Sequence, residues 1–147
     1  MPLQNAQTSF VPLSTGFMEK SYYLPEGFFT ASLVKGSWSP AKNGTMQAVL
    51  SFRIESFTKP GVEFMARAVY WESELPRLQR DLANWQGAEF VERSIKEGGV
   101  NLDKLTGKLA DIEVVHDEKH PEYDEPRRIV AGIYPVHKLV RKPLEIN

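Results

Sequence analysis

Two groups of residues in this chain have types and spacings that could do chemistry. His116 and His120 stand four apart, with Asp117, Glu118 and Lys119 between them. On a helix that spacing turns both imidazoles to one side, where they and a carboxylate could hold a divalent ion. The metallohydrolase signature needs Glu directly after the first histidine. Here Asp117 stands in that place, the residues before His116 alternate as a strand does, and Pro121 closes the segment. The expectation is a solvated acidic loop, with no metal and no cofactor. The second group is basic and aromatic: Lys35, Trp38, Lys42, Arg53, Arg67, Trp71, Tyr123, Arg127 and Arg128. Such cations neutralise phosphate, and flat rings give flat ligands a surface to stack on. Whether they act together depends on the elements that carry them.

Covalent chemistry has no nominee. The chain contains no cysteine, which removes disulfides, thiolate metal sites and thiol nucleophiles together and suits a reducing compartment. Neither Gly-x-Ser-x-Gly, nor Gly-x-Gly-x-x-Gly, nor a phosphate-cradling Gly-x-x-x-x-Gly-Lys-Ser/Thr run occurs. Nothing selects a catalytic pair from the nineteen carboxylates. A binding protein, not an enzyme, is the expectation.

Period-two patterning supplies most of the elements. Phe29, Ala31 and Leu33 alternate with Thr30, Ser32 and Val34, which predicts a first strand leading to Trp38. Ser39-Pro40-Ala41-Lys42-Asn43-Gly44 has the chemistry of a turn. Met46, Ala48, Leu50, Phe52 and Ile54 form the inward face of a second strand. After Pro60-Gly61, Val62, Phe64, Ala66, Ala68 and Tyr70 do so for a third, an antiparallel hairpin partner of the second. Leu75, Leu78, Leu82 and Trp85 then recur at helical spacing, with Ser73 and Pro76 at the start and Gly87 near the end. Residues 88–101 suggest a second helical turn before Gly98-Gly99 breaks it. Residues 108–115 and 127–135 alternate again as strands four and five.

The predicted domain is therefore residues 27–135, with an amino-terminal arm (1–26) and a carboxyl-terminal tail (136–147). Its class is all-β leaning to α+β: a five-stranded barrel of the oligonucleotide/oligosaccharide-binding (OB) type with one helix between strands three and four. Parity places Phe28, Val34, Trp38, Arg53, Met65, Arg67 and Trp71 on the outer surface. Lys35 and Lys42 flank the loop between strands one and two. Tyr123, Arg127 and Arg128 belong to the loop between strands four and five, and these two loops shape the ligand groove in such barrels. Plainer roles exist for the same residues: Trp38 and Trp71 could cap barrel ends, and Arg53 and Arg67 could pair with Glu55 and Glu63. Trp85 belongs to the core.

In Leu24-Pro25-Glu26-Gly27-x-Phe29, Asn43-Gly44-Thr45-Met46, the run Asn101 to Lys108, and Arg127-Arg128, the chain resembles a family of small phage-encoded OB-fold single-stranded DNA-binding proteins. Those landmarks span residues 24–135. The resemblance implies single-stranded DNA binding with little sequence preference and no catalysis, in phage replication or recombination and with partners from that machinery. Two features depart from it. The chain ends Lys142-Pro143-Leu144-Glu145-Ile146-Asn147 where such families often carry an acidic tail, and its formal net charge is −1. The alternative is a phage accessory or virion module that binds a polypeptide and no nucleic acid.

Charge distribution reconciles a polyanion with that total. Asp111, Glu113, Asp117, Glu118, Glu122, Asp124 and Glu125 put seven acids beside one base, Lys119, in a single segment; the rest of the chain holds seventeen bases against twelve acids. Exposed charges act over about 8–10 Å in salt, so a local basic patch suffices. No apolar run approaches the roughly 18–20 residues of a membrane span, and Met1 to Gln7 lack a signal peptide's basic and apolar regions. The expected location is the cytoplasm of a bacterial host, without membrane contact. An exposed edge strand would allow homo-oligomers.

Overall fold

From Ala48 to Ile54 every second residue is buried and those between are not, which is the pattern of a strand with one face on a core. The computed structural model describes residues 24–117 and 127–136 together with Ser9, and at Arg127 the backbone alone. The described residues form five strands: β1 (Gly27–Pro40), β2 (Met46–Ile54), β3 (Met65–Trp71), β4 (Leu109–Asp117) and β5 (Arg127–Tyr134). They form one closed sheet in the order β1-β2-β3-β5-β4, with β4 pairing back onto β1. All pairings are antiparallel except β3 with β5, which is parallel. No helix of the described residues is long and apolar enough to cross a membrane.

Two helices, not one, separate β3 from β4. They are α1 (Leu75–Gln86) and α2 (Ala88–Lys96), joined at Gly87, whose φ of +99° lets the chain turn between them. The second is a full helix of nine residues where the sequence suggests a single helical turn. It persists because Phe90 and Val91 lie on one side and pack against the core. A 3-10 turn at Leu102–Leu105, whose two leucines are buried, then delivers the chain to β4.

Helix α1 covers one end of the closed sheet. Leu78, Leu82 and Trp85 are buried, the Trp85 ring lies 5.9 Å from that of Phe52, and its Nε1–H donates to the Leu109 carbonyl at 2.9 Å. Beside them Tyr70 Oη donates to Asp81 Oδ2 at 2.6 Å in a fully buried contact. The Arg77 guanidinium stacks 4.4 Å from the Tyr70 ring centroid, and Arg80 reaches Asp81 at 3.2 Å. Burial, and then the hydrogen bond to Asp81, push the Tyr70 phenol well above its ordinary value of 10.0. Because the folded value is the higher one, the contribution is intact below pH 10 and is lost as pH rises beyond it. Above that pH, stability in urea should fall by up to about 1.4 kcal/mol per pH unit more than in Tyr70→Phe. Equal alkaline slopes for the two proteins would refute the buried phenol.

An aromatic cluster fills the opposite end. Phe57 lies 5.8 Å from Phe29 and 5.3 Å from Phe64, ring to ring. Leu24 is buried there, and its carbonyl lies 2.8 Å from His116 Nε2, while the His116 backbone N–H donates to Glu26 Oε2 at 2.7 Å. Among the described residues, Leu24 thus packs with this end of the sheet, amino-terminal to β1.

A bulge in β1 changes the parity on which the outer face was predicted. Leu33 pairs with Phe52, but Lys35 pairs with Ser51, so Val34 is an extra residue. Beyond it Gly36 pairs with Leu50 and Trp38 with Ala48, both core-facing positions. Directly paired residues point to the same side of a sheet. Trp38 therefore lies on the core side of β1 and is 48% exposed there.

Candidate nucleic-acid interface

The outer surface of β1, β2 and β3 is read in cross-strand lines. Lys35, Ser51 and Arg67 form one line, with both cations exposed and separated by the width of β2. Two strand spacings put their backbones about 10 Å apart. On one side runs the line Ser32, Arg53, Met65; on the other, Ser37, Val49, Val69, and then Ser39, Gln47, Trp71. From Met65 to Trp71 the face measures roughly 20 Å along the strands. Trp71 is 37% exposed, and its backbone N–H is capped by Glu74 Oε1 at 3.0 Å.

Arg53 is the encumbered cation of this face. Its Nε lies 3.2 Å from Glu55 Oε2 and its Nη1 3.6 Å from Glu63 Oε2. The Ser32 hydroxyl donates to the same Glu55 oxygen at 2.7 Å. That hydrogen bond first, and the one from Arg53 second, hold the Glu55 carboxyl below its ordinary value of 4.5.

Lys42 is exposed in the β1–β2 loop, next to the Ser39–Gln47–Trp71 line. The loop is closed by Gly44 N–H to Ala41 O at 2.9 Å and by Thr45 N–H to Asn43 Oδ1 at 3.0 Å, with Gly44 at φ +89°. At the other end of the face, Arg67 pairs with Ile129 of β5. Arg128 next to it donates to the Met65 carbonyl at 3.4 Å and lies 5.6 Å from the Phe64 ring centroid, which sets it on the rim of the aromatic end. Arg127 pairs through its backbone with Asp117. Tyr123 lies outside the described residues.

The structure therefore brings Lys35, Arg67 and Trp71 together, with Arg53 alongside and Lys42 at the loop end. Trp38 is on the other side of the sheet. Sequence reasoning gave no role to Val49 and Val69, the half-buried aliphatic strip between the cationic line and Trp71. Their outward parity was the available signal. It also missed Ser32, whose link to Glu55 depends on the register of β1 against β2. Among the described residues no group of three His, Cys, Asp or Glu is placed to hold a metal, and His120 lies outside them. No protein-family model matches the chain, and a search of curated proteins finds no relative.

Proposed function

We propose that this chain is a non-sequence-specific single-stranded DNA-binding protein with an OB-type barrel, acting in phage replication or recombination in the bacterial cytoplasm. The strand order, the parallel β3–β5 pair and the helices between β3 and β4 support the OB assignment. The observation that carries the functional reading is the Lys35–Ser51–Arg67 line flanked by exposed Trp71. It offers cations to a phosphate backbone and one aromatic platform to a base, with little to read sequence, as expected of a tolerant single-strand surface. Partners beyond DNA would come from the phage replication or recombination machinery.

The test is fluorescence anisotropy of a labelled oligothymidine of about 30 nucleotides, longer than the roughly 4–16 that one such barrel covers. Protein is titrated at low and moderate salt beside a duplex control. Binding that prefers the single strand and weakens steeply with salt is the expected result. No binding at low salt discards the DNA reading.

A second reading, a phage accessory or virion module that binds a polypeptide, is favoured by one feature. Trp38, Leu75, Leu78, Leu82, Val91 and Ile95 line an open, mainly apolar groove of about 580 Å³ between the helices and the end of β1. Because this groove is on the opposite side from Lys35 and Arg67, single variants separate the two readings. Under the DNA reading Trp38→Ala leaves the oligothymidine affinity within about twofold of the parent, in line with the small effects of sites away from an interface. A large loss in Trp38→Ala would contradict the placement of the DNA face.

A further inference from the structure

Arg53 lies one cross-strand line from Lys35 and Arg67, two residues along β2 from Ser51 and so about 7 Å away. It would be a third phosphate contact if its guanidinium were available. Two carboxylates face it, and they are not equivalent. Glu63 is mostly exposed and stands off at 3.6 Å, an arrangement that solvent and salt weaken. Glu55 is anchored independently of Arg53: its backbone N–H donates to the Thr30 carbonyl at 2.8 Å and its Oε2 accepts from the Ser32 hydroxyl at 2.7 Å. Its carboxylate thus stays where it is when Arg53 leaves, charged and aligned with the guanidinium as a phosphate oxygen would be.

We propose that Glu55, positioned by Ser32, is a built-in competitor for phosphate that holds Arg53 out of the DNA contact and so limits the affinity of the β2–β3 face. The inference rests on the single-strand reading of that face. A phosphate entering at Arg53 must displace a carboxylate that is already ordered, whereas at Lys35 and Arg67, which no carboxylate of the described residues pairs with, it displaces solvent and counterions. The salt dependence of the native protein then reports Lys35 and Arg67 here and not Arg53.

The experiment is a double-mutant cycle on oligothymidine binding over a salt series, using Glu55→Gln, Arg53→Ala and the pair. Glutamine keeps an oxygen for Ser32 and the side-chain size while removing the charge. With Arg53 present, Glu55→Gln should steepen the log K against log salt slope by about 0.7 and tighten binding about fivefold at 0.1 M salt, one additional phosphate contact. In the Arg53→Ala background the same substitution should change nothing. Ser32→Ala should move affinity in the same direction by less. An equal gain in both backgrounds would mean a general charge effect and overturn the proposal, as would no gain in either while the native protein binds. Native protein that fails to bind beside a Glu55→Gln variant that binds would support the competitor directly. Absence of binding throughout would sink the DNA reading and the proposal together.

Discussion

The Lys35→Glu, Arg67→Glu double variant is expected to lose single-stranded DNA binding while keeping its fold. Each phosphate neutralised on a single strand contributes about 0.7 to the salt slope, so losing two contacts removes about 1.4 and weakens binding about 25-fold at 0.1 M salt. Reversing the charges adds repulsion and takes the loss to roughly 100-fold. Both side chains are exposed on the outer face and make no core contact, so far-ultraviolet circular dichroism and melting temperature should match the parent. The measurement is oligothymidine anisotropy across a salt series. A double variant that binds with the parent's affinity and slope would move the DNA site off this face.

Gly36→Val is expected to be the most damaging single substitution outside the aromatic core. A Cβ at Gly36 would lie 2.6 Å from Leu102 Cβ and 2.9 Å from its Cδ1. Leu102 belongs to the 3-10 turn that leads into β4 and cannot retreat easily, because Gly107 N–H donates to the Leu33 carbonyl at 2.8 Å and Leu33 N–H to the Lys108 carbonyl at 3.1 Å. Overpacking against such a fixed element costs about 3 kcal/mol, or roughly 10 °C in melting temperature for a domain of this size. The bulge and the glycine together let β1 pass under that turn. Thermal melts of Gly36→Val, Leu102→Ala and the pair give the coupling: the pair should be more stable than the sum of its parts predicts. A Gly36→Val protein that melts with the parent would show that the close approach is not made.

Much of the fold was legible because burial on one face leaves a mark every second residue. Met46 to Ile54 and Ala66 to Tyr70 carry that mark without interruption, and their inward and outward positions came out as read. The outward placement of Arg53, Arg67 and Trp71 followed from it. Strand β1 carries the same mark only as far as Leu33. One extra residue at Val34 reverses every side chain after it, and an insertion of one leaves the composition of the segment unchanged. Trp38 was misplaced for that reason alone. The pairing of Arg53 with Glu55 and Glu63 was visible as a possibility, since all three lie on neighbouring outward positions. The hydroxyl that donates to the same Glu55 oxygen belongs to Ser32, 23 residues before Glu55 on another strand.

By itself, the order of residues determined the number of strands, the helical segment after the third, the absence of thiol chemistry and the concentration of acids between residues 111 and 125. These are local properties, set by period, turn chemistry and composition. Tertiary structure alone decided that Arg128 settles over Phe64, that Ser32 reaches Glu55, and that Trp38 and Trp71 part company across β1 and β3. Those outcomes depend on register between segments distant in the chain, where a shift of a single residue exchanges core for solvent.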